Sequence, residues 1–348
     1  MLLLPIAVIG WPALATVPYP GVHADAFLRF PADEGAHPAF RSEWWYVTGF
    51  LDNGSRSVGF QVTFFRSRPG VNEQSGSRFA PRQLLFAHAA IADPAAGRLA
   101  VDQRAARAGF DAKADERVLD VRVVDWWMRR RGDRYAASIR ARDFALDLEF
   151  DARAPVLLQG SDGLSRKGPS PDDASYYYSQ PQLAVEGRVS GADGTRRVTG
   201  VAWLDHEWSS RYLPDGAVGW DWMGINLDDG AALMAFRIRD AAGATLWAGG
   251  SHRDAHGAVR IFAPADVAFA AARQWQSTRT GIAYPVAFDV RAGNVQLRIE
   301  PLLDDQELDA RASVGTIYWE GAVRASIDGQ PAGRGYVELT GYGKPLRL

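Results

Sequence analysis

Two stretches of this chain repeat, and the repeating unit alternates in polarity with a period of two residues. Displaced by 176 positions, Trp44 falls on Trp220 and Leu51-Asp52-Asn53-Gly54 on Leu227-Asp228-Asp229-Gly230. Phe60 falls on Phe236, Val62 on Ile238 and Leu85-Phe86-Ala87 on Ile261-Phe262-Ala263, with no gap. Displaced by 134 to 135, Glu186-Gly187-Arg188-Val189 meets Glu320-Gly321-Ala322-Val323, and Gly200 and Leu204 meet Gly335 and Leu339. Val58, Phe60, Val62 and Phe64 alternate with Gly59, Gln61 and Thr63, the period of a half-buried strand. Asn53-Gly54 and Asp229-Gly230 lie between apolar runs and mark hairpin turns. No long amphipathic helix stands out, and the stretch from Asp115 to Trp127 reads as strands. Antiparallel strands joined by hairpins escape exposed edges by closing on themselves. The expected fold is therefore all-β, two tandem antiparallel barrels related by internal duplication and joined near Tyr212 to Gly216. The abundance of Gly (35), Phe (16), Trp (12) and Tyr (11) suits many turns and aromatic strand faces.

The expected division is a signal-peptide-like segment and linker over 1–26, a first barrel over 27–212 and a second over 213–348. Leu2 to Ala15 is almost wholly apolar, too short to span a bilayer, and resembles an export signal ending near Ala13-Leu14-Ala15. This points to a periplasmic or secreted protein. Gln159 to Asp173, rich in Gly, Ser, Asp and Pro, reads as a long loop over the first barrel. The chain has no cysteine, which excludes disulfides, thiolate catalysis and cysteine–zinc sites. With 39 basic against 41 acidic residues and no long basic run, nucleic acid is not an expected partner.

The strongest candidate for chemistry is Trp203-Leu204-Asp205-His206-Glu207-Trp208, three ionisable groups in a row inside an otherwise apolar strand. Burying charge without a partner costs several kcal/mol, so such a cluster either closes a polar network or does chemistry. On a strand Asp205 and Glu207 point one way, and His206 and Trp208 the other. A carboxyl against tryptophan is a candidate general acid, and a histidine between aromatic walls a proton shuttle. The alternative is a structural histidine–carboxylate bond. Trp220-Asp221-Trp222 offers a second acid, and Asp205 with Asp221 is the expected acid–base pair. Glu43, in Ser42-Glu43-Trp44-Trp45-Tyr46, either ion-pairs with Arg66 or lines the same pocket as His206. His88 is the single polar residue of an apolar strand, and its expected counterpart is Pro264. Tyr177 and Tyr178 send rings to opposite faces. His252 and His256 read as solvent-exposed loop residues. His206 and His88 lack a third ligand, so no metal is expected. No Gly-x-Ser-x-Gly elbow, phosphate loop or dinucleotide fingerprint occurs, which disfavours serine hydrolysis, phosphoryl transfer and nicotinamide chemistry.

These motifs, together with Phe86-Ala87-His88-Ala89-Ala90-Ile91-Ala92-Asp93 and Tyr176-Tyr177-Tyr178-Ser179, resemble the AttH-type lipocalin-like proteins. That family includes the carotenoid hydratases (hydroxyneurosporene synthases), and bacterial members are often called predicted secreted hydrolases. The resemblance runs from about Phe30 to Tyr342. It implies two lipocalin-like barrels with a pocket at or near their junction, and an exported protein. It implies an enzyme that needs no cofactor and protonates a double bond of an apolar, isoprenoid- or polyene-like substrate, by hydration or cyclisation. His206 and Trp208 match the hydratase motif, whereas the Tyr and Asp that follow it in hydratases find no acid at Leu233-Met234-Ala235. On this reading Asp205, His206, Glu207 and Asp221 are catalytic, and Glu43, Trp45, His88, Tyr177, Tyr178, Trp203, Trp208 and Trp222 bind substrate. Two other functions fit the same residues: a non-catalytic lipid or isoprenoid carrier, with contact to a membrane surface, and a hydrolase using paired carboxyls.

Overall fold

The computed structural model describes residues 17–346 except 55, 72 and 78; the export-signal stretch Leu2 to Ala15 lies outside them. The first sheet opens with β1 (Ser42–Asp52), β2 (Ser57–Ser67), β3 (Leu84–Ala92) and β4 (Leu99–Arg107). It continues through β5 (Ala112–Ala114), β6 (Asp120–Val123), β7 (Trp126–Arg131), β8 (Arg134–Arg140) and β9 (Ala145–Ala152). The short β10 (Leu157–Leu158) and β11 (Leu164–Arg166) precede two long strands, β12 (Ala174–Gly191) and β13 (Gly194–Arg211). The second sheet holds β14 (Ala217–Leu227), β15 (Ala232–Asp240), β16 (Thr245–Arg253), β17 (Val259–Phe262) and β18 (Val267–Gln276). It ends with β19 (Ala283–Ala292), β20 (Val295–Pro301), β21 (Glu307–Ala310), β22 (Thr316–Ile327) and β23 (Gln330–Leu339).

Both sheets are antiparallel and share a plan: the first strand pairs with the second on one side and the last on the other. The protein is all-β, with two barrel-like sheets in tandem; one sheet ends at Arg211 and the next begins at Ala217. The first sheet curls until β4 meets the edge of the β5–β9 meander. There Arg104 donates to the Arg140 carbonyl at 2.9 Å and lies over Trp126, while the Arg142 amide donates to Asp102. Among the described residues no helix is long and apolar enough to cross a membrane.

The alternation of each first strand now has a cause on both faces. Trp45, Val47 and Leu51 of β1 fill the first barrel, and Met223, Ile225 and Leu227 of β14 fill the second. The intervening Tyr46 and Phe50 join Trp222 of β14 in a third core between the barrels. These strands are therefore buried on both sides, and so is β2, which the alternation made half-buried: Gln61 and Thr63 are buried as well as Phe60 and Val62. Gly59 belongs to this junction: a Cβ there would come within 2.3 Å of the Ala322 Cβ.

The repeat holds in topology but not without gaps. The first hairpin closes on the Asp52–Ser57 rung and the corresponding one on Asn226–Ala232, one residue longer between the rungs. One extra residue exchanges the faces of the strand that follows. Phe60 and Val62 thus fill the first barrel, whereas Phe236 and Ile238 face the junction. In the third position β3 is matched by β16, not by the stretch around Pro264, which forms a short 3-10 turn. Pro264 is therefore not the counterpart of His88. His252 is a half-buried residue of β16, and His256 is exposed. The region from Gln159 to Asp173 contains β11 and reaches the second barrel, where Ser251 donates to Gln159 and Trp247 to the Arg166 carbonyl.

Candidate active site

The period of β13 splits its ionisable row between two environments. His206 and Trp208 face the interior of the first barrel; Asp205 and Glu207 face the junction, as strand geometry requires.

Inside the first barrel, His206 and Glu43 anchor the segment that precedes β1. His206 Nε2 lies 2.8 Å from Glu43 Oε1, and its Nδ1 lies 3.1 Å from the Asp33 carbonyl. Arg66 Nε donates to the other Glu43 oxygen at 2.7 Å, while Arg66 Nη1 and Nη2 donate to the Phe40 and His37 carbonyls. His37 Nδ1 approaches Glu43 at 2.8 Å and its Nε2 approaches Asp33 at 3.3 Å. Trp45 donates to the Glu34 carbonyl. Rings of Trp45, Trp208 and Tyr178 surround His206 at 4.7, 4.7 and 5.4 Å. Burial alone would raise the Glu43 carboxyl, but bonds from His206 and His37 and the Arg66 charge outweigh it, so it stays ionised. Burial pushes His206 downward, against the pull of Glu43. For His37, the bonds to Asp33 and Glu43 outweigh burial and raise the ring. Glu43 is thus held ionised beside the Arg66 cation, His37 is favoured in its charged form by Asp33 and Glu43, and His206 sets both ring nitrogens against acceptors while burial opposes its charge. His37, Glu43 and His206 bring ligand-type atoms within 4.8 Å of one another. The Arg66 cation and the mutual hydrogen bonds already occupy them, so these residues do not fit a metal site in this arrangement. His206, Trp45, Trp208 and Tyr178 thus pack away from Asp205 inside the first barrel, whereas Glu43, bonded to His206 and Arg66, is also among the residues that line the junction cavity.

Asp221 departs further from expectation. It faces the second barrel's interior, where Arg237 and Arg239 donate at 2.7 and 2.8 Å and the Tyr342 hydroxyl donates at 3.0 Å. It is neutralised twice over and turned away from Asp205. The alternation that sends Trp220 and Trp222 to the junction sends the residue between them inward.

At the junction lies a cavity of about 470 Å³. Trp44, Tyr46, Tyr177, Trp220, Trp222 and Phe236 wall it, and Asp205, Glu207, Lys167, Glu320 and Glu338 enter it. Trp203 packs behind Trp222 and donates to Asp205 Oδ1 at 2.7 Å; Ser179 donates to the same oxygen at 2.5 Å. Burial outweighs these bonds and pushes the Asp205 carboxyl up to about 7. Glu338 accepts from Trp220 Nε1 at 2.9 Å and is likewise pushed up to about 7 by burial. Glu320 stands directly across the β22–β23 ladder from Glu338. Facing residues on one side of a sheet have Cβ atoms about 5 Å apart, and two carboxylates there repel. Burial and the Glu338 charge raise Glu320 well above the carboxylate range, so this pair holds at least one proton at neutral pH. Glu207 is different: Lys167 pairs with it at 2.8 Å and Ser175 donates at 2.5 Å. Lys167 also lies over the Tyr177 and Phe236 rings at 5.0 and 4.5 Å. His88, expected in the pocket wall, is fully buried behind the lining residues Tyr318 and Ser313, its ring nitrogens each 2.8 Å from the Tyr318 hydroxyl and Ser313 Oγ, and burial lowers it to about 3.

Of the residues singled out in the sequence, the cavity brings together Glu43, Asp205, Glu207, Tyr177 and Trp222, with Trp203 behind them. Glu320, Glu338 and Lys167 were missed. The criterion that singled out Asp205, an acid among aromatics on an apolar strand, also fits Tyr318-Trp319-Glu320 and Tyr336-Val337-Glu338. The sequence comparison sets Asp205 against Thr340. In the ladders Tyr46 faces Asp205, and its repeat partner Trp222 faces Glu338, two residues away on the same strand face.

A protein of two tandem barrel-like sheets, with buried acids gathered in an aromatic cavity between them, belongs to the lipocalin-like class. The AttH-like family profile matches residues 22–342, and the chain belongs to this family. A crystal structure of a candidate AttH from Nitrosomonas europaea is similar at 50% identity and TM-score 0.87, covering 93% of this chain and 99% of that one. Kievitone hydratase from Nectria haematococca shares the fold at 13% identity and TM-score 0.68, covering 94% and 97%. CghA in complex with Sch210972 shares it at 12% identity and TM-score 0.54, covering 88% and 89%. No curated protein sequence matches the chain.

Proposed function

We propose that this protein is an exported, hydratase-like enzyme that protonates a carbon–carbon double bond of an apolar, isoprenoid- or polyene-like substrate. The observation that carries this reading is the set of three buried carboxyls, Asp205, Glu320 and Glu338, that burial raises into or above the neutral range in a tryptophan-walled cavity, so that a protonated acid and an ionised one coexist there. An acid held neutral by burial is a proton donor poised near working pH. In the reaction the Asp205 O–H breaks and its proton bonds to one alkene carbon, using the π pair. The cation left on the neighbouring carbon is stabilised by the faces of Trp44, Trp220 and Trp222. Water adds to that carbon and gives its extra proton to ionised Glu338, whose partner Glu320 keeps its own. Pocket water returns one proton from Glu338 to Asp205 and closes the cycle. No redox or metal step enters, so the chemistry calls for no cofactor. Lys167 and Glu207 provide a polar end that orients a substrate oxygen. The fold shared with kievitone hydratase agrees with this reading, and the apolar Leu2 to Ala15 agrees with export.

The carrier reading draws on the same apolar walls. Incubation with isoprenoid and polyene alkenes in ¹⁸O-labelled water separates the two. A hydratase yields product carrying one labelled water, and Asp205→Asn retains ligand but loses that product. Wild-type protein that binds an alkene tightly and returns it unlabelled and unisomerised is a carrier, and the enzymatic reading fails.

A further inference from the structure

We propose that the end of the first barrel beside the cavity mouth is a docking surface for an anionic lipid bilayer. Phe79, from the loop after β2, and Phe110, from the turn after β4, stack at 5.5 Å with 56% and 36% of their surfaces exposed. Arg107 binds the pair together, donating to the Phe79 carbonyl at 2.7 Å with its guanidinium 5.9 and 5.0 Å from the two ring centres. Exposed Val71 belongs to the same β2–β3 loop. Two elements distant in sequence thus present aromatic rings to solvent under a cation, the combination that seats a protein at a headgroup interface.

The patch is placed by the ladder. Arg107 lies at the end of β4, on the rung that runs through Leu84 and Ser67 to Ser42. Ser42 and Ser67 line the cavity, as does Phe86, which faces Ala105, two residues before Arg107 on the same sheet face. One strand over and two residues along is roughly 8 Å. The charge favours anionic lipid: Arg41, Arg82 and Arg107 are exposed around this end. Of the acids among the described residues nearby, Glu73 is paired with Arg68 and Asp111 is exposed. Surface cations near such a bilayer each add about 1 kcal/mol of attraction, lost as salt rises. A cavity for an apolar substrate would then open at the phase in which that substrate dissolves.

Flotation of the full chain with vesicles of phosphatidylcholine, alone or mixed with phosphatidylglycerol, tests this. Binding is expected to the mixed vesicles, weakened by salt. It should fall roughly tenfold or more in Phe79→Ser/Phe110→Ser and severalfold in Arg107→Ala. Because the chain has no cysteine, Phe79→Cys labelled with an environment-sensitive dye gives a second readout that survives if the double variant misfolds. Its emission should shift to the blue on vesicle addition. No binding by wild type, unchanged binding by the double variant, or no dye shift overturns the proposal. So does a concentration-dependent dimer that the double variant abolishes, since the patch would then meet a second copy. Vesicle binding needs no turnover, so its failure is distinct from failure of the enzymatic reading.

Discussion

Asp205 and Asp221 show how one strand period assigns two aspartates opposite tasks. Both lie beside tryptophan in sequence, yet Asp205 meets a hydroxyl and an indole, whereas Asp221 meets two guanidinium groups. A raised pKa makes Asp205 bind more protons folded than unfolded. Stability is therefore fully present below the unfolded value near 4 and is lost as pH rises towards about 7. Asp205→Asn should remove this penalty, raising Tm at pH 8 by several degrees relative to wild type, with a smaller gain at pH 5, while labelled-water incorporation disappears. Thermal melts at the two pH values decide it; equal shifts would mean that Asp205 is ionised throughout. Asp221→Ala should behave oppositely. It leaves Arg237 and Arg239 buried without their anion, a loss of about 3–5 kcal/mol. Denaturant titration should show that loss, and the folded fraction should keep its turnover. Turnover should itself be bell-shaped around pH 7, since Asp205 must be protonated while Glu338 is ionised.

At the scale of elements, two segments outside the main ladders give the strands their roles. Residues from Asp33 to Phe40 plug the first barrel through bonds to Trp45, Glu43, Arg66 and His206. Glu43→Gln should release them. Amide exchange over 33–41 should speed up by an order of magnitude or more, with protection of β12 and β13 little changed. The loop that carries β11 delivers Lys167 across the junction. Lys167→Met removes the ion pair but preserves apolar volume, and should raise KM severalfold with little change in kcat. A fall in kcat alone would instead assign Lys167 to proton transfer. Little of this was legible beforehand. The composition of 159–173 reads as a loop, but it hides the strand β11 paired with β12 and does not tell which barrel the segment touches.

The whole molecule is built around a junction that neither half completes alone. Aromatic side chains from β1, β13, β14 and β23 meet there, and Gly59 lets the barrels approach closely. Gly59→Val should push against Ala322 and the Tyr336 hydroxyl, destabilising by about 1–3 kcal/mol and enlarging the gap between barrels. Calorimetry that splits from one transition into two would show the halves uncoupled; an unchanged melt would mean that the junction is loose.

By itself the sequence determined the all-β class, the tandem plan and the opposed faces of Asp205 and His206. Each follows from a period-two pattern or a turn signal, and both are local. Only tertiary structure decided which face became a pocket. Both faces of β1, β13 and β14 are buried, so polarity could not tell barrel interior from junction. It also fixed the partners of each buried charge, placing Arg66 on Glu43, two arginines on Asp221 and Glu320 opposite Glu338. A buried carboxyl is base, acid or strut according to what stands across the ladder, and one inserted residue in a hairpin changes which face that is.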